Sequence, residues 1–287
     1  MTTPSSLHTS PVTSCSAPGK LLLLGDHAVV YGNPCIVTAV DQRITAQVSR
    51  RNDKQIVLIA PEVGVDVFTF LISNIANVDV PKGARFTIAL LRHFYQKFPQ
   101  QSGITIQTQS QFSSQFGFGS SSAVTVAVAA ALNQLFSYQL LQKELFDLCY
   151  KAVLDVQGVG SGFDLAAAIW GGTIQYVTPG QVKHQFGTIE LPIIVGYTGV
   201  KADTPTLIKK VAAFKEQNPE LVNTIFSQSA KLVTEGSKAI DRQYWPELGK
   251  IFQKNQALLR QLDVSSPELE SLIAAAEKAG AYGAKLS

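Results

Sequence analysis

A chain of 287 residues with 46% hydrophobic and 16% charged side chains is long enough to bury a large core and too apolar to be disordered. Its net charge of +3, from 24 Lys+Arg against 21 Asp+Glu, makes no electrostatic case for nucleic acid, and no basic run supplies one. Three widely spaced cysteines (Cys15, Cys35, Cys149) match no metal or disulfide framework, so reduced thiols in a cytoplasm are expected, and no apolar run approaches a membrane span.

In chain order, Met1 to Thr13 is a Thr/Ser/Pro-rich tail read as flexible, with ordered structure expected from Ser14. Leu21–Leu24 reads as a short strand buried on both faces, broken at Gly25-Asp26-His27. Ile36–Val40 and Ile44–Ser49 read as two further strands, and Gln55–Ile59 as another. Phe86, Leu90, Leu91, Phe94 and Phe98 share one face, which predicts a helix over 81–98 that Pro99 follows. Ile104–Thr108 alternates strictly, as a half-exposed strand does. A Ser/Gln-rich loop, 109–115, then leads into Phe116-Gly117-Phe118-Gly119-Ser120-Ser121-Ser122 and an alanine-rich helix running to about Leu132.

A second helix is expected over 142–156, followed by the glycine-rich break Gly158 to Asp164 and a short segment to Trp170. Strands are expected at Ile174–Val177 and Leu191–Tyr197, and four helical segments occupy 206–279. Strands early and helices late predict an α+β chain with two lobes. The division is expected within 178–184, giving an N-terminal lobe over 14–182 and a C-terminal lobe over 183–287.

Three loops carry chemistry if they meet. The first offers Lys20, Asp26 and His27; the second offers Gly117 to Ser122 at a helix N-terminus; the third offers Ser161 and Asp164. Glycines let backbone approach a ligand closely, and the unpaired N–H groups of a helix's first turn attract phosphate. Nucleotide-dependent phosphoryl transfer needs such donors, an oxygen ligand for Mg²⁺, a base or orienting carboxylate, and a cation. Each residue also has an ordinary reading: a Gly/Ser connector with a serine cap, a solvated lysine, a turn aspartate, a loop histidine, or an N-cap at Asp164.

The three segments resemble the GHMP kinases, the galacto-, homoserine, mevalonate and phosphomevalonate kinases. Ala17-Pro18-Gly19-Lys20 through Gly25-Asp26-His27-Ala28-Val29-Val30-Tyr31-Gly32 is similar to the first motif of the mevalonate-kinase branch. Gly117–Ala123 resembles the phosphate loop of the superfamily, and Gly160–Gly172 resembles the segment that bears its aspartate. The resemblance implies a two-lobed GHMP kinase fold, with a strand-rich N-terminal lobe carrying the phosphate loop and a mainly helical C-terminal lobe. It implies ATP and Mg²⁺ as cofactors and phosphorylation of the 5-hydroxyl of mevalonate. Carried over by position, Asp164 is the base or orienting carboxylate and Lys20 its cationic partner. Gly117, Phe118, Gly119, Ser120, Ser121 and Ser122 form the nucleotide site, with Ser121 also the Mg²⁺ ligand, and Asp26, His27 and Thr198 lie on the acceptor side. The partner implied is a small molecule, with no nucleic acid and no membrane, and a homodimer is left open.

Three departures qualify the match. The branch carries a second Mg²⁺-binding glutamate eleven residues before its aspartate, where this chain has Val153; Asp155, two residues on, points elsewhere on a helix. Ser114-Gln115-Phe116 precedes the phosphate loop in place of a proline and small residues. The superfamily's last glycine-rich loop follows a segment like Ala284–Ser287, so truncation is expected after Ser287. Two alternatives stand beside the leading reading. One is phosphomevalonate kinase, for which Lys201 is the candidate extra cation; the other is a non-catalytic nucleotide-binding relative.

Overall fold

The computed structural model describes residues 11–200 and 203–287. Its organising strand is β2, Cys35–Arg50, whose long β-branched run suits a pleated surface. Along one edge β2 pairs antiparallel with β1 (Val12–Leu24), from Val12 opposite Ser49 to Leu24 opposite Ile36. Its other edge is shared. The Ile44–Arg50 half takes β5 (Ile104–Ser110), and the Cys35–Thr38 half takes β6 (Thr173–Val177). Beyond β5 lie β3 (Gln55–Ala60), parallel to it, and β4 (Val65–Leu71); beyond β6 lies β7 (Gln181–Gln185). Among the described residues these seven strands form one sheet.

Four helices complete the N-terminal core: α1 (Arg85–Lys97), α2 (Ser120–Phe136), α3 (Gln142–Gln157) and α4 (Phe163–Trp170). Helix α2 is buried on most sides, from Ser122 to Leu132, which fixes the direction in which its N-terminus points. The C-terminal part is helical: α5 (Thr204–Gln217), α6 (Pro219–Asp241), α7 (Trp245–Gln261) and α8 (Pro267–Lys278). It builds a second core. The end of β1 joins the two, because Leu22 packs into the first cluster while Leu23 and Leu24 pack into the second. No helix among the described residues is long and apolar enough to cross a membrane.

Several expectations shift. β1 begins at Val12, within the segment read as tail, because Val12 and Thr13 pair with Ser49 and Val48. The two strands expected at 36–40 and 44–49 are one, since β2 continues through the exposed Asp41-Gln42 pair, where its register with β1 shifts between Pro18 and Lys20. The sheet runs past the 182/183 division, because β7 stays paired with β6 through Gln185. Leu191–Tyr197 is not a strand; it has no ladder partner among the described residues, and Ile194 is 98% exposed. Lys201 lies outside the described residues.

Candidate active site

The phosphate side is made by backbone. Gly117 and Gly119 take φ of 76° and 72°, a left-handed conformation that costs other residues about 1–2 kcal/mol. Gly119 occupies the cap of α2 and has no side chain to bond the first turn, so the N–H groups of Ser120–Ser122 have no side-chain cap. A buried seventeen-residue helix thus presents its positive end uncapped.

β1 passes directly beneath. The Lys20 N–H donates to the Phe118 carbonyl at 2.9 Å, and a Cβ at Gly19 would lie 2.9 Å from that same oxygen. Only glycine permits this approach, which draws Lys20 under the loop. The third loop is pinned by hydroxyls. Tyr176 Oη and Thr178 Oγ1 donate to the Ser161 carbonyl at 2.6 and 2.8 Å, and Tyr150 Oη donates to the Gly160 carbonyl at 2.8 Å. Gly162, at φ 80°, then starts α4 and sets Asp164 in its first turn.

The three loops meet at Gly119. A Cβ placed there would stand 3.1 Å from Lys20 Cγ, 3.3 Å from Lys20 Cε and 3.5 Å from Asp164 Cβ. Lys20 and Asp164, 144 positions apart in the chain, therefore flank one glycine at the positive end of α2. Both side chains are half-buried, and among the described residues they form no ion pair with each other. Lys20 Nζ lies 5.2 Å from the Phe163 ring centroid. Beneath them Cys35 is fully buried, and burial holds its thiol well above the ordinary range, with Asp26 and Asp164 adding to the rise.

On the acceptor side the expected residues separate. His27 is mostly buried at φ 58°, and its imidazole has no hydrogen-bond partner among the described residues. Burial lowers its pKa, Asp26 opposing and Lys285 assisting, a direction that favours the neutral ring. Asp26, expected beside the acceptor, is 6% exposed and already bound: Lys285 Nζ lies 3.2 and 3.0 Å from its two oxygens, and Asn255 Nδ2 donates to Oδ2 at 3.2 Å. Both of its carboxylate oxygens are taken up by these contacts. Thr198 is half-buried in a local turn with Val200, and its neighbour Tyr197 meets Phe116, just before the phosphate loop, edge-on, ring centroids 5.2 Å apart.

Ser121 offers a half-buried hydroxyl in the first turn of α2. Val153 is buried in the core, and Asp155 is paired with His93 Nε2 on α1 at 2.7 Å. No group of three or more His, Cys, Asp and Glu suited to a metal occurs among the described residues. Sequence reasoning did not find Lys285, Asn255, Phe116 or the hydroxyls of Tyr150, Tyr176 and Thr178. Phe116 carried a signal, as a departure from the usual loop; the others acquire meaning only through contacts.

A backbone phosphate cradle with a lysine and an aspartate at its mouth, on this sheet-and-helix frame, defines a small-molecule kinase. Residues 85–172 match the GHMP kinases N-terminal domain model and residues 237–287 the GHMP kinases C-terminal model, and the chain belongs to that family, which uses ATP. Its relatives include the mevalonate kinases of Thermococcus sibiricus and Pyrococcus furiosus, each 33% identical over 95% of this chain and 84% of the relative. The Methanococcus jannaschii mevalonate kinase structure superposes with a TM-score of 0.78 at 22% identity, covering 98% of this chain and 87% of that one. The L. major mevalonate kinase in complex with R-mevalonate gives 0.73 at 23% identity, covering 100% and 86%.

Proposed function

We propose that this chain transfers the γ-phosphoryl group of ATP to the 5-hydroxyl of mevalonate, giving 5-phosphomevalonate and ADP. The observation that carries the reading is the meeting of Lys20 and Asp164 at Gly119, over the uncapped end of α2. The N–H groups of the Gly117–Ser122 loop hold the phosphates. Asp164 takes or orients the proton of the acceptor hydroxyl, and Lys20 stabilises negative charge on the same oxygen as it attacks. His27, whose ring bonds no other side chain among the described residues, and Thr198 contact the acceptor.

Mg²⁺, when bound with the nucleotide, would supply positive charge against the charge that builds up on the phosphates during transfer. The Ser121 hydroxyl, a hard oxygen of the kind that Mg²⁺ takes, would hold it. The buried Val153 adds no ligand.

The absence of a carboxylate at Val153 favours a second reading, with 5-phosphomevalonate as acceptor. A phosphorylated acceptor needs a further free cation, and the charge of Lys285, next to the site, is already taken by Asp26. ADP release measured with each acceptor in turn separates the two. Turnover on mevalonate is expected, and activity confined to 5-phosphomevalonate would overturn the assignment.

A further inference from the structure

The Gly25–His27 turn is held from two sides. Gly25, at φ 95°, leaves no room for a Cβ, which would fall 2.6 Å from both Cys35 Cβ and the Pro34 carbonyl. On the opposite side Asp26 reaches 259 residues along the chain to Lys285, both side chains being 5% exposed. The Lys285 ammonium also donates to the Leu22 carbonyl at 3.4 Å and to that of Leu286. Around it the chain is tied twice more. The Leu22 N–H donates to Ser287 Oγ at 3.1 Å, and the Leu286 N–H donates to Gln256 Oε1 at 3.0 Å. Asn255 and Gln256, each 1% exposed, bring α7 into the same network.

A buried ion pair is a poor way to gain stability, because desolvation offsets the attraction. It is a good way to fix geometry, because every donor and acceptor has one satisfactory arrangement. Here the fixed geometry adjoins a residue under strain. His27 sits at φ 58°, a conformation that persists in a non-glycine residue only when its surroundings enforce it. Its partnerless imidazole is the part that such enforcement would aim.

We propose that Lys285 is a positioning residue for the acceptor side: through its buried bond to Asp26, shared with Asn255, it holds the Gly25–His27 turn in the shape that presents His27 to the acceptor. This rests on the assignment of His27 to the acceptor side. The loss of Lys285 frees Asp26 to swing, and His27 leaves its pose while the phosphate cradle on α2 is untouched.

The test uses the full chain with Lys285→Met, Lys285→Arg, Asp26→Asn and the Asp26→Asn/Lys285→Met double variant. Acceptor KM, ATP KM and kcat are measured, with His27 titrated by NMR. In Lys285→Met the acceptor KM rises roughly tenfold to a hundredfold, the scale of a misplaced contact, while ATP KM stays within about threefold. The His27 pKa rises, since the lowering influence of Lys285 is gone while Asp26 remains; in Asp26→Asn it falls. Lys285→Arg restores part of the acceptor KM. Equal rises in both KM values, or a wild-type His27 titration in both single variants, would overturn the proposal. If Lys285→Met does not fold, the double variant carries no unpaired buried charge and takes its place; a wild-type acceptor KM there overturns the proposal equally. Lack of turnover on mevalonate by the unsubstituted chain would instead refute the acceptor assignment, and a changed His27 backbone conformation in Lys285→Met, read from its NMR chemical shifts, would still support the pair's hold on the turn.

Discussion

The phosphate side of the cleft comes from backbone of adjoining elements, with glycine at each point of closest approach. The acceptor side is assembled from segments far apart in the chain, held by side chains. Gly117, Gly119 and the first turn of α2 need only the right φ and a rigid helix behind them. His27 needs Asp26, Lys285 and Asn255 in register from both cores. The first kind of site tolerates variation in its neighbours, because N–H groups carry the function. The second ties acceptor binding to the packing of the two lobes.

The largest effect should come where both sides converge. Asp164→Asn keeps the shape of the α4 turn and removes the proton acceptor, so kcat should fall about 10²- to 10⁴-fold while ATP affinity by calorimetry is nearly kept. Normal turnover would remove Asp164 from the chemistry.

Two glycine substitutions sharpen the contrast within the phosphate side. Gly117→Ala meets nothing within 4 Å and carries only the strain of its φ, about 1–2 kcal/mol. Gly119→Ala carries the same strain and also drives a methyl to 3.1 Å from Lys20 Cγ and 3.5 Å from Asp164 Cβ. Its kcat/KM should fall at least roughly tenfold further than that of Gly117→Ala, the cost of displacing catalytic groups. Equal losses in steady-state kinetics would mean that Gly119 serves the backbone alone.

Phe116→Ala removes the ring contact that joins the start of the phosphate loop to Tyr197, the neighbour of Thr198. An exposed aromatic pair is worth about 0.5–1.5 kcal/mol, so a few-fold rise in acceptor KM is expected. No change in either KM would leave the two sides independent at that edge.

The smallest effect concerns the helices behind the acceptor side. Arg260 first, then Ser265 and Gln256, hold the Glu270 carboxyl down to about 2 from 4.5. A carboxyl with a lowered folded-state pKa contributes its stability above the unfolded value and loses it as pH falls through the folded value. Thermal unfolding of Glu270→Gln should therefore be less steep between about pH 4.5 and 2 than that of the parent. Identical pH dependence would deny Glu270 this role.

Much of this architecture was legible from residue pattern. The long helices α1, α3 and α5–α8 announce themselves by apolar spacing, because each buries one face. Strand limits were harder. Asp41 and Gln42 look like a break because they are polar, yet an exposed bend in a long antiparallel strand is polar too. Leu191–Tyr197 has the composition of a strand, but a strand exists only with a partner to bond. The site divides along the same line. Lys20, Gly117–Ser122 and Asp164 stand beside glycines that punctuate the chain, so their loops could be named from sequence. The burial of Asp26 and its bond to Lys285 leave no local trace, since nothing in either stretch distinguishes a buried pair from two solvated charges.

The central claim is that Lys20 and Asp164 act on one acceptor oxygen, and a double-mutant cycle in kcat tests it most directly. Lys20→Met, Asp164→Asn and their combination would be compared under saturating ATP and mevalonate. Groups that serve one oxygen as a unit are non-additive, so the double variant should be no slower than the worse single variant by more than about threefold. Losses that multiply in full would contradict the account, because the lysine and the aspartate would then act at separate places.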